Sequence, residues 1–151
     1  WIVRSLTPDP NMGVHLARTF NQLVAAIEDG VKHEQSILVE EFINGKVAAV
    51  HSVVGFRGED IYTFPPASVF GNISPDEKEK LIALAKDLHD HIGAKHYSKS
   101  VFVLHPRGKI YLIHIDSMPN LKENSHFSEV CRSVGTEAHQ VIHHILEQAL
   151  N

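Results

Sequence analysis

The alternation of apolar and polar positions predicts a chain of short strands interrupted by helices. Runs rich in Val, Ile and Phe that end at turn-forming residues are typical of strands. Asn44-Gly45 favours a type I′ turn, because both residues tolerate positive φ, and so predicts a hairpin between the strands on either side. The expected strands cover 1–4, 14–17, 36–43, 47–56, 60–64, 97–105 and 109–116.

Three segments have the periodicity of amphipathic helices. The first two begin at capping boxes, Thr19 with Gln22 and Ser74 with Glu77, and Gly30 is the expected C-terminal cap of the first. Hairpins followed by helices that must cover a sheet predict an α+β fold, with antiparallel sheets packed against helices. The expected helices cover 20–29, 75–92 and 136–150.

Composition narrows the class of protein. The 151 residues are 43% hydrophobic and 21% charged, which is typical of a compact domain and excludes a disordered chain. A net charge of −4 disfavours nucleic-acid binding, and no apolar run approaches the roughly 20 residues of a membrane span. The single cysteine, Cys131, favours a reducing compartment such as the cytoplasm. Because the chain begins at Trp1 and not at Met, we expect an excised domain.

Two strings point to a known family. Residues 37–46 read Ile-Leu-Val-Glu-Glu-Phe-Ile-Asn-Gly-Lys, and residues 111–125 end in Pro-Asn-Leu-Lys-Glu-Asn-Ser. In this order and separation they resemble the ATP-grasp domain of D-alanine–D-alanine ligases. The resemblance implies a single ATP-grasp-like domain, with 1–66 similar to the nucleotide lobe and 67–151 similar to the C-terminal lobe. It also implies that the family's N-terminal substrate lobe is absent.

The resemblance assigns nucleotide-binding roles in the first part of the chain. Arg4 stands at the position of the phosphate-binding Lys, and Gly13 ends the glycine loop that covers the phosphates. Glu40, Glu41 and Phe42 stand at the adenine hinge. The family uses ATP and Mg²⁺ to form an acyl phosphate from one D-alanine, which the amine of a second then attacks.

In the second part of the chain the resemblance assigns catalytic and metal-binding positions. Lys99 stands where the family has its transition-state Arg, and Ser125 lies in the tail on the substrate side. Val101 replaces the metal-binding Asp, and His114 and Asp116 stand at the metal-binding Glu and Asn. Mg²⁺ prefers oxygen ligands, so only Asp116 is suited to hold it in the usual way.

Other positions also depart from the family pattern. Val47 replaces the Glu that binds the ribose, Asp9 places a carboxylate near the expected phosphates, and Asn120 replaces a Gly. The segment between Pro66 and Pro75 is too short for the family's lid, which we expect to be deleted. These departures predict a degenerate active site.

The sequence supports more than one function. The first hypothesis is a non-catalytic binding or scaffolding module, whose partner is a nucleotide, a small amino acid, another protein or a missing N-terminal domain. The alternative is an active ATP-dependent carboxylate–amine ligase with altered metal ligands. A purely structural subunit is the third possibility, and nucleotide binding with Mg²⁺ or Mn²⁺ discriminates the alternative from the others.

Histidine chemistry leaves further alternatives open. His114 and Asp116, two apart on a strand, point to one face and can bind Zn²⁺ or simply hydrogen-bond to each other. The 12 histidines also raise the hypothesis of a response between about pH 5 and 7. Cys131 has no basic neighbour that would activate it, which favours a buried thiol without a catalytic role.

Overall fold

The computed structural model describes residues 1–6, 13–33, 36–123 and 125–150, which form two compact units, 1–43 and 44–151. The strands are β1 (Ile2–Ser5), β2 (Val14–Leu16), β3 (Ile37–Glu40), β4 (Lys46–Val54), β5 (Ile61–Thr63), β6 (Ala67–Phe70), β7 (Tyr97–Leu104) and β8 (Ile110–Asp116). The helices are α1 (Phe20–Lys32), α2 (Pro75–His91), α3 (His126–Ser133) and α4 (Ala138–Leu150). The antiparallel sheets and the helices confirm the predicted α+β class.

The first unit is an antiparallel sheet of order β2-β1-β3 with α1 packed on it. Val3 of β1 is fully buried and forms the core with Ala26 of the helix. The predicted capping box is present, since the Thr19 hydroxyl accepts from the Gln22 backbone N–H and the Gln22 side chain reaches back to the cap. Helix α1 therefore begins where the sequence predicts.

The predicted end of α1 is wrong. The helix does not stop at Gly30, which is buried inside it, but continues to Lys32 with His33 as the C-cap. The His33 backbone N–H donates to the carbonyls of Asp29 and Gly30, and its ring Nδ1 lies 2.8 Å from the Asp29 carbonyl oxygen. Because these contacts close the last turn, the helix needs no left-handed glycine to end it.

The predicted hairpin at Asn44-Gly45 is also wrong. Strand β3 pairs with β1, whereas β4 pairs with β5, β6 and β7, so the two strands belong to different sheets. Gly45 is not among the residues with positive φ. A Cβ atom there would lie 2.3 Å from the Leu104 carbonyl oxygen, so close backbone approach is what requires glycine at this position.

The second unit is organised around β4. One edge of this strand pairs with β7 from Lys46 to Val53, and the other edge pairs with β6 and then β5. Strand β8 extends the sheet beyond β7, as the sequence predicts. Strands β4 and β5 belong to this sheet, and the compact units divide at 43/44. The lobes expected from the resemblance divide at 66/67.

Each face of this sheet covers its own core. On one face, Leu81 and Ala85 of α2 pack against a cluster that includes Val50 and Phe102. On the other face, α3 and α4 cover a larger cluster. The members of that cluster are Val53, Phe64, Tyr97, Phe127, Val130, Cys131 and Val141.

Strand β6 and helix α3 were not predicted from the sequence. Strand β6 is four residues long and occupies the segment in which we expected only a deleted lid. Helix α3 spans eight residues, and its apolar side chains Phe127 and Val130 are too few to reveal a helical period. Among the described residues, no helix combines the length and apolar character that a membrane crossing requires.

We expect Gly45→Ala to lower the free energy of unfolding by about 1–3 kcal/mol, since the added methyl group must displace the backbone of β7. Urea denaturation measures the change. Gly93→Ala is the matched control, because Gly93 also resists a side chain, with φ +64°, but has open space around its Cα. A Gly45→Ala protein that is no less stable than Gly93→Ala would contradict the steric explanation.

Candidate functional site

The first unit brings Arg4 and Glu40 together. These side chains lie on the paired strands β1 and β3, and the Arg4 Nε donates to the Glu40 carboxylate at 2.8 Å. Both side chains are about one third exposed, with relative accessibilities of 36% and 39%. A guanidinium has five N–H donors, and this contact uses the one on Nε. The other N–H groups of Arg4 therefore remain able to bind an anion, while Glu40 orients the Arg4 side chain.

The remaining nucleotide-binding candidates of this unit are exposed. Gly13 has φ +66°, and a Cβ atom added there would have no neighbour within 4 Å, which suits a loop that approaches a ligand closely. Glu41 and Phe42 follow β3 and line a cavity of about 640 Å³, and the Phe42 side chain is 48% exposed. The loop that precedes Gly13 in the chain, including Asp9, lies outside the described residues.

In the second unit, the sheet aligns Lys99 with Asp116. Lys99 on β7 is the register partner of His51 on β4 and of Asp116 on β8. Directly opposed residues of an antiparallel sheet point to the same face. The three side chains therefore form a row across the sheet, and Val101 and His114 oppose each other in the next row.

Ser125 has a structural position. It is buried and caps α3, where its hydroxyl accepts from the Ser128 backbone N–H at 3.3 Å. The same hydroxyl donates to the Asn120 carbonyl oxygen at 2.8 Å. The predicted catalytic Ser125 thus ties the 117–123 segment to the start of the helix.

The residues present do not fit the Mg²⁺ that the resemblance implies. Val101 has no donor atom, His114 offers a nitrogen, and Asp116, whose Oδ1 accepts a hydrogen bond from the Met118 backbone N–H at 3.0 Å, is the one carboxylate at these three positions. Mg²⁺ needs octahedral oxygen coordination, and Zn²⁺ sites need at least three protein ligands. Within the described ranges, no group of three or more His, Cys, Asp or Glu side chains is placed to hold a metal ion. His114 and Asp116 alone supply two ligands.

A buried chain of hydrogen bonds lies beside Lys99 and was not predicted from the sequence. The Tyr97 hydroxyl lies 2.7 Å from His51 Nδ1, and His51 Nε2 lies 3.1 Å from His126 Nδ1. His51 is 1% exposed and packs against the ring of Phe127. The chain links β7, β4 and the first residue of α3.

Burial and a neighbouring cation fix the protonation states of this chain. Burial, then the His126 ring and the Lys99 ammonium, lower the pKa of His51 to about 3. Burial and then Lys99 also lower the pKa of His126. Burial, followed by the charges of Asp116 and Cys131, raises the pKa of Tyr97. At neutral pH both rings are neutral and the phenol keeps its proton.

A signal for His51 is present in the sequence. It interrupts the apolar run of β4 at a position where both neighbours along the strand are buried. A histidine in a central strand must have hydrogen-bond partners, since an unpaired buried ring is costly. Its partners are 46 and 75 residues away in the chain, and no local pattern identifies them.

A family model and the curated relatives agree on one family. The model of a family described as D-ala D-ala ligase C-terminus matches residues 59–147. The D-alanine--D-alanine ligase of Glaesserella parasuis is 23% identical over 96% of this chain and 53% of its own length. The corresponding ligase of Pseudoalteromonas translucida is 24% identical over 93% of this chain and 51% of its own length. The chain spans about half the length of the curated relatives it matches.

Solved structures show the same fold. D-alanyl-alanine synthetase A from Vibrio cholerae matches 97% of this chain and 50% of its own, with a TM-score of 0.79 and 19% identity. The Bacillus anthracis D-alanine--D-alanine ligase complexed with ATP matches 99% of this chain and 50% of its own, with a TM-score of 0.79 and 14% identity. These similarities confirm the ATP-grasp fold.

We expect acid to destabilise the protein through His51. Its folded pKa of about 3 lies below the ordinary 6.5, so the unfolded chain binds the proton more tightly. The stabilisation is therefore complete above pH 6.5 and is lost as the pH falls toward 3, by on the order of 3 kcal/mol between pH 7 and 4. Urea denaturation across this range measures it.

The matched comparison uses His51→Gln, which cannot titrate, and His139→Gln on the exposed surface of α4. His51→Gln should lose less stability in acid than the wild type, whereas His139→Gln should follow the wild-type curve. Equal curves for all three proteins would show that His51 is not the group responsible.

Proposed function

Because the chain belongs to the D-ala D-ala ligase C-terminus family, we propose that it is an ATP-grasp module that binds an adenine nucleotide without carrying out ligation. The family resemblance supports the nucleotide, and a solved relative is described as complexed with ATP. The departures at the metal positions support the loss of catalysis.

The observation that carries this proposal is the pair Val101 and His114. It occupies the row of the sheet next to Lys99 and Asp116, where the family resemblance expects two carboxylates. Phosphoryl transfer relies on metal ions that neutralise the charge developing on the phosphate oxygens. A row with a valine and an imidazole lacks the hard oxygen ligands for this task.

Other groups retain the capacity to bind a nucleotide. In the second unit, the ion pairs among the described residues involve Lys46 and His143, and Lys99 is in neither. In the first unit, Arg4 retains donors that the Glu40 contact does not use, and Phe42 presents an exposed ring. Cations bind phosphate oxygens and an aromatic face can stack on a base, so these side chains need no metal to act.

We extend the proposal to partners and location. Since the chain spans about half the length of its relatives, any amino-acid ligand is expected to require another protein or an N-terminal domain. Cys131 is a free, buried thiol, and a reducing cytoplasm suits it.

Calorimetric titration of ATP, with and without Mg²⁺, tests the proposed function. We expect binding whose Kd changes by less than about twofold when Mg²⁺ is added. Lys99→Met should weaken binding by about tenfold, because it removes a charge-assisted contact to phosphate. Lys78→Met, on the exposed surface of α2, is the control and should bind ATP as the wild type does.

Two results would overturn the proposal in different ways. If Mg²⁺ or Mn²⁺ strengthens binding more than about tenfold and Asp116→Asn abolishes the gain, the metal site is functional, and a ligase with altered metal ligands is favoured over a non-catalytic module. If ATP does not bind under either condition, the fold serves a structural role instead.

A further inference from the structure

We propose that His51 is a positioning residue, which holds the first turn of α3 against the sheet beside Lys99 only while His126 is neutral. The proposal deepens the proposed function and rests on it in one respect, namely that Lys99 contacts the nucleotide. The attachment of α3 to the sheet is independent of that function.

The position of His51 makes it a link between the sheet and the helix. Its backbone opposes Lys99 at the centre of the sheet, and its side chain contacts His126, the first residue of α3. The preceding residue, Ser125, caps the helix and bonds to the carbonyl of Asn120. A shift of His126 would therefore move the start of the helix and the segment that leads into it.

The hydrogen bonds have one favourable direction. A buried phenol that keeps its proton donates it to His51 Nδ1. Each direction of the chain leaves one donor without an acceptor, and the opposite direction would leave the O–H of Tyr97, which is 3% exposed, whereas this one leaves an N–H of the less buried His126. The neutral His51 ring then carries its proton on Nε2 and donates to His126 Nδ1. His126 must accept at Nδ1 and carry its own proton on Nε2, which is buried and unpartnered among the described residues.

A proton on His126 reverses its role. The protonated ring carries N–H groups on both nitrogens, so His126 Nδ1 would present a donor to the donor of His51. Lys99 opposes a positive charge on either ring, whereas Glu129 favours one on His126. The titratable groups that act on this chain are Lys99 of β7, Asp116 of β8, and Glu129 and Cys131 of α3.

The contact can be tested by changing the acceptor. His126→Asn keeps a carbonyl oxygen near the position of Nδ1 but cannot be protonated. His126→Leu removes the acceptor at every pH. His139→Asn, on the exposed surface of α4, is the control for the loss of a histidine far from this chain.

Amide hydrogen exchange of 127–130, corrected for the intrinsic pH dependence of exchange, reports the attachment of α3. In the wild type, protection should fall by about tenfold, the amount expected for one broken hydrogen bond, as the pH is lowered from 7.5 into the range in which His126 takes up a proton, which lies below the ordinary pKa of 6.5. His126→Asn should lose less protection than the wild type over the same pH range, and His126→Leu should be poorly protected throughout it. The His139→Asn protein should follow the wild type.

ATP titration of the same proteins separates this inference from the proposed function. As the pH is lowered, we expect the ATP affinity of the wild type to fall in parallel with the protection of its α3 amides. The ATP affinity of His126→Asn should change less. If no variant binds ATP, the proposed function fails, while hydrogen exchange still decides the role of His51. A pH response in His126→Asn equal to that of the wild type, or full protection in His126→Leu, would overturn the inference.

Discussion

The pairing of β4 with β7 is the interaction on which the second unit depends. It extends from Lys46 to Val53 along β4 and from Leu104 to Tyr97 along β7, and most of its side chains are buried. Because it runs through the middle of the sheet, each face supports a separate core under different helices. The same register places His51 opposite Lys99, so the geometry of the candidate site follows from the geometry of the fold.

Short sequence patterns correctly predicted those features of the fold that depend on interactions between residues close together in the chain. The capping boxes at Thr19 and Ser74 begin their helices as expected, because the partners stand three residues apart. The hairpin predicted at Asn44-Gly45 is absent for the opposite reason. A turn-forming pair of residues indicates that the chain can reverse direction there, but which strands pair depends on interactions across the whole sheet. There, the requirement for glycine comes from Leu104, a residue 59 positions later in the chain.

The candidate site also contains residues that the sequence identifies and residues that only their three-dimensional contacts identify. The family resemblance selected Arg4, Glu40, Lys99 and Asp116. The structure places Arg4 beside Glu40 in the first unit and Lys99 opposite Asp116 in the second, although their roles in binding stay predictions. His51 and His126 have no counterpart in a short motif. Their contact needs the sheet, the α3 cap and the intervening loop to be in place, so it can be recognised only in three dimensions.

The replacements at the metal positions are physically consistent with nucleotide binding. Two carboxylates facing the phosphates repel them unless a cation lies between, and this repulsion grows in a partly buried site. Val101 has no charge, and an imidazole at position 114 carries no fixed negative charge, so the loss of metal ligands also removes the repulsion that the metal would have offset. In the neighbouring row Lys99 faces Asp116, but no ion pair joins these two side chains among the described residues, so the Lys99 ammonium stays available to an anion beside the neutral rings of His51 and His126. The proposed loss of the metal site and the proposed retention of a phosphate site are therefore compatible with each other.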